Sequence, residues 1–139
     1  MKRHAATFLI VITCLVPALV RSQPTRGPAA APDVIAVRMS NFAYNPDPLR
    51  LRAGVPVRLR FVNESGGGHD FDAPAFFAAS AFAPGVVPPP GGKVEVAART
   101  TAELTLTPRV PGTYEVRCTH FLHSLFGMTG TIVVTGPGP

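Results

Sequence analysis

Tryptophan is absent from the 139 residues, and there are only two cysteines and four histidines. Two cysteines are too few for a disulfide-built scaffold. Charged side chains make up only 15% of the chain while apolar ones reach 46%, which excludes wholesale disorder. Long helices are disfavoured by 16 prolines and 13 glycines, and the lack of a Gly-X-Y period excludes collagen. The length fits one domain. A net charge of +5 looks basic, yet there is no dense basic stripe of the kind a nucleic-acid partner needs. Arg50, Arg52, Arg58 and Arg60 alternate with apolar residues and read as a solvated sheet face.

Residues 1–22 read as a secretory signal. Lys2, Arg3 and His4 form a positive start, and Ala5 to Val20 is an apolar stretch broken by Pro17. That stretch is shorter than the roughly 20 residues that cross a bilayer, so no stable membrane span is expected. Val11-Ile12-Thr13-Cys14 is a poor lipidation motif. Small residues place cleavage near Ser22–Gln23. Cleavage removes three of the 13 basic side chains and none of the eight acidic ones, so the net charge falls from +5 to +2. Cys14 leaves too. Cys118 is then a lone thiol in an oxidising compartment, where cysteines usually pair. Metal ligation is the leading explanation.

Residues 23–32 read as a flexible Pro/Ala leader and 136–139 as a disordered tail. Between them the hydrophobic signal has period two. Ile35, Val37 and Met39 alternate with polar or small residues, as do Leu49 and Leu51, then Val55, Val57, Leu59 and Phe61. Val94 and Val96, Ala102 to Leu106, and Tyr114 to Cys118 repeat the pattern, and Thr131 to Val134 is a β-branched run. Each such segment buries one face. Turn signals at Asn45-Pro46, Ala53-Gly54, Gly66 to Gly68, Gly91-Gly92 and Pro111-Gly112 separate them. About seven to eight short strands predict an all-β Greek-key sandwich over residues 33–135. Ala73 to Ala83, rich in Ala and Phe, predicts a short helical excursion. Its role between a packed lid and a docking patch, within 73–92, stays open.

The chemistry concentrates after the strand that ends at Cys118. Cys118, His120, His123 and Met128 put a thiol, two imidazoles and a thioether into one short stretch. A second element, Gly67-Gly68-His69-Asp70, follows another strand, and a sandwich can bring two such loops to one pole. Soft sulfur with imidazole selects copper, and a trigonal His2Cys set with a weak axial Met is the electron-transfer type of site. Thiolate binds both oxidation states, imidazoles complete a plane that both tolerate, and a distant thioether constrains weakly.

Cys118-x4-His123-x4-Met128 is followed by Gly130 and a strand. It is preceded by Gly112-Thr113-Tyr114-Glu115-Val116-Arg117, with His69 upstream and Asn41-Phe42-Ala43-Tyr44-Asn45-Pro46 near the start. Together these resemble the cupredoxins, type 1 blue copper proteins of the plastocyanin and azurin kind, across about residues 33–135. The resemblance implies one copper ion per chain, cycling between Cu(I) and Cu(II). It implies His69, Cys118 and His123 as equatorial ligands, Met128 as the axial one, and Gly68, Asp70 and Thr119 as supporting residues. Asp70 stands where relatives usually have Asn, and would accept from Thr119. Its charge should lower the reduction potential. The loop also lacks the Pro many relatives place between Cys and His, so an extra backbone N–H can reach the sulfur and raise the potential. The two effects oppose, and the net sign stays open. His120, a third imidazole two residues after Cys118, could compete as a ligand; the blander reading is an outward or supporting His, and its role stays open.

The function implied is that of an electron carrier, periplasmic or otherwise exported, and not an enzyme. Redox proteins would dock transiently at the ring edge of His123, among Phe121, Leu122, Leu125 and Phe126, with the carrier itself monomeric. The alternative is a copper-handling protein that uses the same ligands. Multicopper oxidases share the Cys-His-Met spacing but place His on both sides of the Cys, where this chain has Arg117 and Thr119. A metal-free secreted sandwich is the remaining reading.

Overall fold

The computed structural model describes residues 31–120 and 128–136. The expected signal segment, most of the leader, His123 with its apolar neighbours, and most of the tail lie outside the described residues. Among the described residues, ten strands form two sheets. They are β1 (Asp33–Ser40), β2 (Ala43–Asn45), β3 (Leu49–Arg52), β4 (Val57–Asn63), β5 (His69–Asp72), β6 (Ser80–Phe82), β7 (Lys93–Val96), β8 (Thr101–Pro108), β9 (Gly112–Arg117) and β10 (Thr129–Thr135). One sheet runs β2-β1-β4-β8-β6 and the other β3-β10-β9-β5-β7. β1 pairs with β4, and β10 with β3, in parallel; the remaining pairings are antiparallel.

Alternation builds the core. In β4 Val57, Leu59 and Phe61 are buried while Arg58 and Arg60 point outward, where both come near Glu103. The facing sheet contributes Leu49, Leu51, Phe71, Val96, Val116, Ile132 and Val134. Each large apolar side chain buried this way stabilises by about 1.5–3 kcal/mol relative to exposure. Phe61 and Phe71 meet across the two sheets with ring centroids 4.9 Å apart. Val55 departs from the expected alternation: it is 45% exposed and precedes β4. Pro56 has no N–H to give a ladder, so the strand starts only after it.

The excursion at 73–83 is half helix and half strand. Helix α1 covers Pro74–Ala78, with Pro at its first turn, where a missing N–H costs nothing. It buries Phe76 and Phe77 against Tyr114, Phe71 and Phe82. The chain then turns into β6, which pairs with β8. Alanine-rich helix propensity yields here to the open edge of a sheet. The two buried rings pack the segment onto the body. Gly92, with φ +73°, lies beneath α1; a Cβ there would stand 2.4 Å from Pro74 Cα, and its carbonyl accepts from Ala73 N at 2.9 Å.

The strand directions sort the molecule into two poles. β4 ends, β5 begins, β9 ends and β10 begins at one of them. At the other, Asp33 of β1 and Thr135 of β10 share the wall of one surface cavity with Val57.

Candidate metal centre

Three chain segments converge at the first pole. β5 pairs with β9 through Asp72 and Arg117, and that register carries forward to set residues 118–120 across from 69–71. His69 opens β5, Cys118 follows β9 directly, and Met128 directly precedes β10. All three side chains are buried. Cys118 Sγ lies 3.8 Å from His69 Nδ1, and Cys118 N donates to the Met128 carbonyl at 3.0 Å. Metal–thiolate and metal–imidazole bonds run about 2.3 and 2.0 Å, so a 3.8 Å span lets one ion touch both donors. The donor chemistry and the spacing therefore fit a soft metal ion. His123, the remaining expected ligand, lies outside the described residues.

Burial pushes the Cys118 thiol up from its ordinary value, and the backbone N–H groups of Asp70 and His120 act against it by favouring the thiolate. Position 120 is within the stretch where the expected extra N–H arises, because no proline stands there.

Asp70 is buried and holds the two loops together. Its carboxylate accepts from Thr119 N at 2.8 Å and Thr119 Oγ1 at 2.5 Å, as its place next to His69 suggested. Its backbone carbonyl accepts from Tyr44 Oη at 2.5 Å. Burial beside Cys118, Asp70 and Asp72 pushes the Tyr44 phenol far above its ordinary value. Gly68 leaves room for His120: a Cβ there would meet His120 Cε1 at 3.1 Å. His120 itself is about one-third exposed and pairs with Glu95 on β7.

Four contributors escaped the sequence reading. Asn63 is buried, and its Nδ2 donates to the carbonyls of Gly67 (2.8 Å), Val96 (3.0 Å) and Ala97 (3.1 Å). Its Oδ1 accepts from Ser65 N and Oγ, so it shapes the glycine-rich turn that delivers His69. Tyr44 braces Asp70 from β2. Lys93 and Glu95 of β7 reach the segment after Cys118. Tyr44 stands in the Asn41–Pro46 stretch noted above, and an Asn at a strand end is the other signal that could have marked one of these. Asp70, Glu95 and His120 also bring ligand atoms within 4.8 Å of one another. The Asp70 carboxylate is already engaged by Thr119, and the Lys93 ammonium beside it disfavours a second cation there.

The Cupredoxin-like domain model matches residues 6–134, so the chain belongs to the cupredoxin-like family. Auracyanin B is similar in structure, with 29% identity and a TM-score of 0.58 over 76% of this chain and 91% of that one. Auracyanin A of the green thermophilic photosynthetic bacterium Chloroflexus aurantiacus, described as a "blue" copper protein, matches at 23% identity and a TM-score of 0.55. That match covers 76% of this chain and 100% of that one. The auracyanin of Roseiflexus castenholzii shares the fold at 19% identity and a TM-score of 0.57, over 76% and 98% of the two chains. No curated protein sequence matches the chain. Among the described residues no helix is long and apolar enough to cross a membrane.

Proposed function

We propose that the chain is an exported mononuclear type 1 copper protein that carries single electrons between redox proteins. The approach of His69 Nδ1 to Cys118 Sγ, 3.8 Å across two loops distant in sequence, carries this reading. His69, Cys118 and His123 would hold the ion, with Met128 as a weaker fourth donor. Copper held by this set supplies a one-electron Cu(I)/Cu(II) couple. The protein's part is to keep the donors still. Phe71 of β5 and Val116 of β9 are packed in the core, and Asp70 ties residue 119 to the strand that carries His69. Neither loop can then relax freely toward the geometry one oxidation state would prefer. Backbone N–H groups at 70 and 120 spread the sulfur's charge. Docking of redox partners is assigned to the His123 edge and is transient.

The full burial of Cys118 and Met128 favours a retained ion over one handed on, and so a carrier over a copper-handling protein. The test is titration of purified protein with Cu(II), followed by visible and EPR spectra. One equivalent should produce an intense thiolate-to-copper band. Cys118→Ser and His123→Gly should abolish it, and His120→Gln should keep it. Loss on His120→Gln with retention on His123→Gly would reverse the ligand assignment. Slow electron self-exchange with ready release of the ion would favour copper handling instead.

A further inference from the structure

Asp70 brings a carboxylate into the buried wall behind the thiol, and a buried charge needs a partner. The partner comes from β7, the edge strand beside β5. Register sets Lys93 opposite Asp72 and Glu95 opposite Asp70. Asp72, however, is taken by Arg117, whose Nε lies 3.2 Å from its Oδ2. Glu95 is turned to His120. The Lys93 ammonium reaches diagonally instead, to 3.9 Å from Asp70 Oδ2, and donates to Thr119 Oγ1 at 3.2 Å. A threonine hydroxyl has one proton. Thr119 gives it to Asp70 and accepts from Lys93, so ammonium, hydroxyl and carboxylate form one polarised chain.

We infer that Lys93 is a positioning residue that balances the charge of Asp70, holding the post-cysteine loop in place and offsetting the fall in potential a carboxylate beside the metal would otherwise impose. The potential half of this rests on the copper reading above; the loop half does not. A negative charge near the ion favours Cu(II) over Cu(I), and a balancing cation cancels most of its field. Lys93 is half-exposed, so salt screens it only in part.

The experiment is a charge cycle in the full chain: Lys93→Gln, Lys93→Arg, Asp70→Asn and the Asp70→Asn/Lys93→Gln double variant. In copper-loaded protein, Lys93→Gln should shift the reduction equilibrium toward Cu(II) by about threefold to tenfold, tenfold being about 59 mV for one electron. Asp70→Asn should shift it the other way, the double variant should return close to wild type, and Lys93→Arg should stay there. A potential that ignores Lys93→Gln overturns the charge-balance role. In metal-free protein, Lys93→Gln should lower the unfolding midpoint by several degrees, and should cost clearly less once Asp70 is Asn. Equal losses in both backgrounds overturn the pairing. If wild-type protein takes up no Cu(II), the copper reading fails and takes the potential half with it. The metal-free cycle still decides whether Lys93 holds the loop.

Discussion

Tyr44 shows how one hydroxyl can link fold and site. Its O–H ends on the Asp70 carbonyl, so its ring anchors the strand that carries His69. Because its folded pKa lies above the unfolded one, the protonated phenol is favoured by folding. Its contribution is complete below the unfolded value, near pH 10, and is lost as pH rises beyond it. Tyr44→Phe should therefore cost about 1 kcal/mol at neutral pH and flatten the alkaline loss of stability, read by denaturant titration of metal-free protein from neutral to alkaline pH. An unchanged alkaline slope would place the titrating group elsewhere. At this scale the sequence was legible where chemistry is rare. Cys118, His69 and Met128 stood out by residue type and by family resemblance. Asp70 was paired with Thr119 on the same ground, and the hydrogen bonds join those two residues. Tyr44, Asn63 and Lys93 were not legible as contributors, since each earns its role from a register across strands that spacing alone does not reveal.

Elements with clean alternation were readable, and those without it were not. β4, β8 and β9 advertise one buried face each. β5 does not, because His69, Asp70 and Phe71 are buried in succession. β2 and β6 have three residues each, too few for a period to show. The helix at 74–78 was legible in kind but not in length, since β8 offered Ser80–Phe82 a ladder. Two outcomes follow for this region. Phe76→Ala should destabilise by about 3–5 kcal/mol, because the ring fills the space between α1 and β9 and its loss leaves a cavity. Gly92→Ala should destabilise too, by more than the roughly 1 kcal/mol of ordinary glycine replacements, since both its φ and the nearby Pro74 backbone exclude a Cβ. Thermal unfolding measures both; a neutral Gly92→Ala would mean that α1 can lift from the turn at 90–92 at little cost.

For the whole molecule, the buried apolar cluster spans both sheets, and Cys118 and Met128 are only two of its members, at one pole. Folding therefore does not wait on a metal. Chelation should leave the far-ultraviolet strand signature unchanged while lowering the melting temperature. Saturating copper at 100 times its dissociation constant should restore about 2.7 kcal/mol. Collapse of the strand signal on chelation would mean that the ion is part of the core. The division into two sheets was readable from the sequence. The order of strands within each sheet was not, because it depends on which edges meet after the turns close.

The pole shared by Asp33 and Thr135 has a practical corollary. Both ends of the folded body emerge on the side away from Cys118, so an affinity tag, a fused domain or a linker to a gold surface can be attached at either end. A chain immobilised that way would present its sulfur-bearing end outward, ready for voltammetry or for a soluble partner to approach.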